Sequence, residues 1–280
     1  MRLLADFIAR HQRLFVLTGA GCSTDSGIPD YRDAEGGWKR APPVTLQAFV
    51  GDESTRRRYW ARSMLGWNRF GRASPNAVHR ALVELERQGR QQVLLTQNVD
   101  RLHQRAGSRN VIDLHGRMDV VRCLACEARS EREGLQRELL ARNPDWLNIP
   151  STPAPDGDAD LDNADFSTFD VPDCEGCGGV LKPDVVFFGE NVPRERVDAA
   201  VAHLEQADAV LVVGSSLMVY SGFRFARMAS AMGKPIAAVN LGRTRADDLL
   251  SLKITESCGD ALAFLIAETE QAHGTAAISG

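Results

Sequence analysis

The chain has 280 residues, 44% of them hydrophobic and 25% charged, with a formal net charge of −4, an ordinary balance for a globular protein long enough to bury one large core or two smaller ones. That balance leaves no electrostatic footprint for nucleic acid or an anionic membrane, and no apolar stretch reaches the length of a membrane span. The one locally basic run, Thr55-Arg56-Arg57-Arg58, reads as a solvated helix face.

The opening residues, MRLLADFIARHQR, lack a long apolar core and a small-residue cleavage site. They place Leu3, Leu4, Phe7 and Ile8 on one face of a helix that docks on the fold, and a cytoplasmic protein is expected. Short apolar runs come next, each ending in Gly, Ser, Asn or a polar pair. Residues 14–18 run into Gly19-Ala20-Gly21, 93–96 into Gln97-Asn98, and 111–114 into His115-Gly116. Later, 209–213 run into Gly214-Ser215-Ser216, and 235–239 into Asn240-Leu241-Gly242. Runs without alternation suit strands buried on both faces, as in a parallel sheet covered by helices.

Helical patterns fill the gaps. Ser74-Pro75 offers an N-cap and a first-turn proline ahead of Ala77, Val78, Ala81, Leu82 and Leu85. Residues 197–207 and 223–232 supply later crossovers. The fold class is therefore α/β, a doubly wound parallel sheet of Rossmann type, whose ligands bind beyond the carboxyl ends of the strands. Two segments interrupt the alternation: 35–72, helical and aromatic-rich, and 118–182, with two cysteine pairs and the stretch STPAPDGDADLDNADFSTFD. We read 1–34, 73–117 and 183–270 as the discontinuous nucleotide-binding domain and the two insertions as a smaller domain. Residues 271–280 are expected to be a flexible tail.

Four of the six cysteines form Cys123-x-x-Cys126 and Cys174-x-x-Cys177. Four thiolates in a tetrahedron satisfy one zinc and leave no open position, so the site is structural; glycines at 176, 178 and 179 let the second knuckle turn tightly. Gly19-Ala20-Gly21 after the first strand permits backbone N–H groups to approach a pyrophosphate. The third glycine of the usual dinucleotide fingerprint is replaced by Thr24, however, and a plain hydride-transferring dehydrogenase fits poorly. Ser23 and then Gly27-Ile28-Pro29-Asp30-Tyr31-Arg32 imply a structured loop over the ligand.

Gln97-Asn98-Val99-Asp100 places an amide and a carboxylate at a strand end, suited to a carboxamide and ribose hydroxyls. The competing reading is a helix N-terminus, with Asn98 as cap and Asp100 facing the dipole. His115 alone among the histidines ends a buried strand at the expected cleft and is the candidate general base. His11, His79, His203 and His273 read as surface residues, and His103 as a packing residue.

Together the segments GAGCSTDSGIPDYR, TQNVDRLH, LHG, the cysteine pairs, LKPDVVFFGE, VVGSSL and VNLG resemble the sirtuin family, from residue 19 to at least 242. RYWARSMLGW, DYR, SSLMVYSG and the long acidic insertion resemble its class II branch, which includes a vertebrate mitochondrial sirtuin; Gly19 comes too early for a presequence, so a bacterial relative is expected. The resemblance implies an NAD-dependent protein-lysine deacylase that releases nicotinamide and O-acyl-ADP-ribose. NAD would lie along Gly19, Ala20, Gly21, Ser23, Asp30, Tyr31 and Arg32, with Gln97, Asn98, Val99 and Asp100 around nicotinamide and ribose. Gly214, Ser215, Ser216, Asn240, Leu241, Gly242 and Cys258 would surround the adenosine half. Asn98 and His115 would be catalytic, with His115 deprotonating a ribose hydroxyl. The acyl-lysine would enter beside Val186 and Phe188 and pair with the chain there as an added strand. Its partners would be acyl-lysine-bearing proteins.

Tyr59 and Arg62, at i and i+3, would hold an acidic acyl chain, guanidinium on carboxylate; packing of Tyr59 and pairing of Arg62 with a local acid is the opposed reading. Protein mono-ADP-ribosyl transfer and a non-catalytic NAD- and zinc-binding module are the functional alternatives.

Overall fold

The computed structural model describes residues 2–40, 42–161 and 164–276. In chain order the elements are α1 (Arg2–Arg10), β1 (Leu14–Thr18), α2 (Leu46–Gly51), α3 (Glu53–Phe70), α4 (Ala77–Arg87), β2 (Gln91–Thr96), α5 (Leu102–Ala106), β3 (Val111–Asp113) and β4 (Gly116–Cys123). After them come β5 (Arg129–Glu131), α6 (Arg132–Arg142), β6 (Thr152–Pro153), β7 (Ala159–Asp160), β8 (Leu181–Val185) and α7 (Arg194–Gln206). The chain then runs through β9 (Ala209–Val213), α8 (Tyr220–Ala231), β10 (Ile236–Val239), β11 (Leu252–Ile254) and α9 (Cys258–Ala276).

Six strands form one parallel sheet in the order β11-β10-β9-β1-β2-β3. Every residue of β1, β9 and β10 is buried, as unbroken aliphatic runs require when helices cover both faces. One apolar cluster lies against α1, α4 and α9, and another against α7 and α8. The register sets Asp113, Thr96, Thr18, Val213, Val239 and Ile254 in one row across the sheet. The segments that carry His115, Gln97, Gly19, Gly214, Asn240 and Cys258 therefore leave the sheet at the same edge. Crossovers depart in opposite directions from β1 and β9, the switch point at which such sheets open a crevice.

A third apolar cluster joins Phe49, Trp60, Met64 and Trp67 of the first insertion to Val121, Leu135, Leu139, Trp146 and Phe169 of the second. It continues to Val99, Leu102 and Phe187, so the insertions pack onto the rim of the sheet. Of the metal-ligand candidates, Cys123 ends β4 of a separate antiparallel sheet, β5-β4-β8, and Cys126, Cys174 and Cys177 lie in the turns beside it.

Several local expectations are corrected. The strand before His115 is the sheet's edge and only half-buried, because among the described residues no strand pairs beyond it. Helix α4 is capped by Asn76, whose side chain accepts from Val78 N–H while His79 Nδ1 takes the Asn76 N–H. His79 is fully buried, its ring 4.7 Å from that of His103, so this helical histidine belongs to the core. Leu3 is 63% exposed while Leu4, Phe7 and Ile8 are buried, a narrower apolar stripe than expected. Helix α9 runs to Ala276, so the segment expected to be a flexible tail is helical through that residue; 277–280 lie outside the described residues.

Candidate active site

The cleft at the strands' carboxyl ends has a volume of about 790 Å³, within the range of small-molecule sites, about 300–1,000 Å³. Its floor is the contact between the loops after β1 and β9. A Cβ on Gly19 would lie 2.8 Å from Ser215 Cβ, and one on Gly21 would lie 2.9 Å from Gly214 Cα. Gly214 itself has φ of 60°, and its Cβ would sit 2.5 Å from the Cys22 nitrogen. The glycines thus allow two backbones to touch. The N–H groups of Gly19 and Gly21 donate to the Val213 and Gly214 carbonyls, at 3.2 and 2.8 Å. These two donors are spent within the protein, while Gly19, Ala20 and Gly21 all line the cleft.

Gly214→Ala should destabilise the fold by about 2–4 kcal/mol, the sum of a left-handed residue with a Cβ and a backbone overlap, lowering the melting temperature by roughly 5–10 °C. Gly89 has φ of 72° and open space around it; its alanine variant carries only the conformational cost. Thermal unfolding of the two variants side by side checks this, and equal losses would remove the close approach as the cause.

Gln97 spans the switch point, its Nε2 donating to Ser215 Oγ at 2.7 Å and to the Thr18 carbonyl at 3.2 Å. Asn98 Nδ2 donates to the Gly19 carbonyl at 3.0 Å and to Ser23 Oγ at 3.2 Å; Ser23 Oγ donates to Asp100 at 2.6 Å. The other oxygen of Asp100 accepts from Leu102 N–H at 2.9 Å, at the start of α5. Asp100, not Asn98, serves the helix terminus. Burial pushes the Asp100 carboxyl above its usual range, against the hydrogen bonds from Ser23 and Leu102. Ser23 and Asp100 stand behind the wall of the cleft; Gln97, Asn98 and Val99 line it. The two buried groups therefore orient the loop that presents the amides.

His115 lines the cleft directly after β3. One ring nitrogen, Nδ1, lies 3.0 Å from the Gln97 carbonyl and Nε2 lies 2.7 Å from Ser221 Oγ. A carbonyl only accepts, so Nδ1 carries the proton and Nε2 holds the lone pair toward the cleft. Burial lowers the imidazole to about 4; the Gln97 carbonyl opposes this, and Arg196 and Arg224 add to it. The ring is neutral at pH 7.

Beside it Val186 N–H donates to the His115 carbonyl at 2.7 Å, and Leu46 N–H donates to the Phe188 carbonyl at 2.9 Å. An added peptide strand has only the remaining backbone groups of this segment to pair with. A buried ammonium organises the turn: Lys182 Nζ contacts the Val185 carbonyl and lies 3.0 Å from Glu190, which accepts Phe187 N–H at 2.8 Å. The loop bearing Asp30, Tyr31 and Arg32 closes toward Phe188 through Trp38, whose ring lies 3.4 Å from the Arg32 guanidinium carbon and 5.7 Å from Phe188. Asn240, Leu241, Gly242 and Cys258 line the far end.

Tyr59 and Arg62 both reach the cleft, but the arrangement corrects their expected role. Arg62 Nε bonds both oxygens of Asp158, at 3.0 and 3.1 Å, and its Nη2 bonds Asp160 at 2.8 Å. Two carboxylates of the β6–β7 hairpin occupy the guanidinium that an acidic acyl chain would need. Tyr59 meets Phe49 and Trp60 edge-on and Phe187 at a tilt, with its hydroxyl 4.0 Å from Met118 Sδ. The hairpin seats on α3 at Gly66, where a Cβ would meet the Gly157 oxygen at 2.3 Å.

The four cysteine sulfurs lie within 4.8 Å of one another, with Cys123–Cys177 at 3.5 Å and Cys126–Cys174 at 3.8 Å. A zinc tetrahedron with bonds of about 2.3 Å has S···S edges of about 3.8 Å, so the donor set fits zinc. β4 separates Cys123 from His115 by a strand of 8 residues, on the order of 25 Å at the usual rise. A metal there is remote from the cleft.

Sequence reasoning misses Ser221, Arg224, Asp158 and Asp160. Ser221 lies inside the SSLMVYSG segment, yet no pattern pairs a serine with a histidine 106 positions away.

Residues 19–221 match the model of the Sir2 family. An NAD-dependent protein deacetylase of Xanthomonas campestris pv. campestris (strain 8004) is 69% identical over 262 residues, covering 94% of this chain and 89% of that protein. The NAD-dependent protein deacylase Sirt4 of Drosophila melanogaster is 45% identical over 265 residues, covering 94% of this chain and 85% of that protein. A solved complex of Sir2, p53 peptide and NAD+ superposes with a TM-score of 0.74 at 29% identity, covering 96% of this chain and 98% of that one. With its glycine-floored cleft, its Gln97–Asn98 wall and its half-buried His115, the chain belongs to the Sir2 family.

Proposed function

We propose that the chain removes acyl groups from lysine side chains of proteins with NAD as co-substrate. The observation that carries this is convergence: His115, the Gln97–Asn98 amides, the Gly19–Gly21 and Gly214–Ser216 loops and the Val186–Phe188 segment all face one cleft. NAD supplies an electrophilic ribose carbon and a leaving nicotinamide. Gln97 and Asn98, locked by Ser215, Thr18, Gly19 and Ser23, present amide groups at fixed angles. His115, with its proton on Nδ1, takes a hydroxyl proton at Nε2, the atom now bonded to Ser221. Val186 and Phe188 flank the entering lysine, and the zinc held by Cys123, Cys126, Cys174 and Cys177 braces the module beyond β4. Nicotinamide release that requires an acyl-lysine peptide, with O-acyl-ADP-ribose as co-product, tests the reading; an ADP-ribosyl adduct left on protein would overturn it.

Arg62 serves structure in this arrangement. Arg62→Met should slow removal of acetyl and glutaryl groups by the same factor, and destabilise the protein by about 1–2 kcal/mol, between exposed and buried ion pairs. Rates on paired acetyl and glutaryl peptides check this. A loss confined to glutaryl would restore the acidic-acyl role.

A further inference from the structure

Arginines gather at one lip of the cleft. Tyr220 opens α8 and is 46% exposed. The guanidinium carbons of Arg224, Arg227 and Arg245 lie 5.4, 5.7 and 5.9 Å from its ring centre. Positions 220, 224 and 227 share a helix face. Arg245 arrives from the loop after β10, its N–H on the Ser216 carbonyl at 2.8 Å and its Nη1 on the Met218 carbonyl at 3.2 Å. Among the described residues no ion pair engages any of the three. Arg224 also lines the cleft, and its buried Nε has no hydrogen-bond partner. It stands three residues from Ser221, which touches His115. This cationic lip runs against the chain's net charge of −4. An unneutralised cluster at the mouth of a protein-binding cleft selects by charge complementarity.

We infer that the lip recognises an aspartate or glutamate flanking the acyl-lysine in the substrate's own sequence. Tyr220 lies against Arg224 and Arg227, and Phe223, 4.5 Å from the Arg245 guanidinium carbon, lies against Arg245; the two rings hold the exposed Arg227 and Arg245 in place, so a neighbouring carboxylate finds pre-placed donors. The inference rests on the deacylase reading, and its test separates the two.

Three acetyl-lysine peptides of equal length, flanked by acidic, neutral or basic residues, are assayed by nicotinamide release. The acidic peptide should have a KM about fivefold below the neutral one, and the basic peptide a higher one, as rim charges act. The spread should collapse in Arg227→Gln/Arg245→Gln and in about 0.5 M salt, with turnover of the neutral peptide unchanged. Equal KM values in the wild type, a preference that survives the double variant, or a change in KM for NAD instead of peptide would each overturn it. Should no peptide release nicotinamide, the deacylase reading fails instead. Fluorescence anisotropy with the same three peptides then decides the lip by binding alone.

Discussion

His115→Asn should reduce deacylation of an acetyl-lysine peptide by about 100-fold or more, the scale on which a positioned general base contributes. NAD affinity should change only a few-fold, because the ring is bonded to Gln97 and Ser221 and not to the glycine loops of the cleft floor. Asparagine retains an amide donor for the Gln97 carbonyl, which isolates loss of the basic nitrogen from loss of packing. The pH profile is a second readout. The ring is lowered to about 4, chiefly by burial, against an ordinary value of about 6.5. A depressed histidine stays neutral, and so competent as a base, until pH falls toward its folded value. kcat/KM for the wild type should therefore hold level as pH drops through 6.5 and decline only toward 4. The His115→Asn variant should lose that limb. Turnover near wild type, or an acid limb at or above 6.5, would remove His115 from the role.

How much of this is legible in the sequence depends on the range of the interaction concerned. The strands are legible because burial on both faces leaves unbroken aliphatic runs, and parallel register then brings residues 19, 97, 115, 214 and 240 to one edge without further information. The metal module is legible because thiolate ligands come in closely spaced pairs. Side-chain partners across the fold are not. The pairing of Arg62 with Asp158 and Asp160 depends on how a hairpin about 95 residues downstream folds back, and Tyr-x-x-Arg spacing carries no trace of it. The glycines of the first loop stand out in the sequence, but their contact with Gly214 cannot be foreseen from Gly19-Ala20-Gly21 alone. His79 is misread because one histidine on an apolar helix face looks like an edge residue until the His103 ring covers it. His115 falls in the cleft although its strand is not the buried one expected; position at a strand's end, not burial of the strand, is the informative signal.

Stripping the metal, or replacing Cys177 by serine, should unfold the module between β4 and β8 and with it the acyl side of the cleft. Gly178 has φ of 68°, and a Cβ on Gly179 would lie 2.8 Å from Cys123 Sγ. The knuckle is therefore folded tightly around its sulfurs, whose mutual repulsion as thiolates only a cation relieves. Structural zinc contributes on the order of 10 kcal/mol or more in small modules that cannot fold without it. Here part of that is shared with the cluster of Trp60, Trp67, Leu135 and Trp146, so the expected fall in melting temperature is about 10 °C or more, with new proteolytic cuts between 118 and 182. The loss should come from unfolding, because the cysteines stand a full strand's length from His115. Cobalt offers the discriminating measurement. A Co(II)-loaded enzyme should show the absorption of a tetrahedral thiolate site and keep kcat within a factor of two of the zinc form, whereas a metal acting on the reacting atoms would change the rate with its Lewis acidity. Purified protein without one equivalent of metal, or a Cys177→Ser variant that melts as the wild type does, would show that the four sulfurs hold nothing.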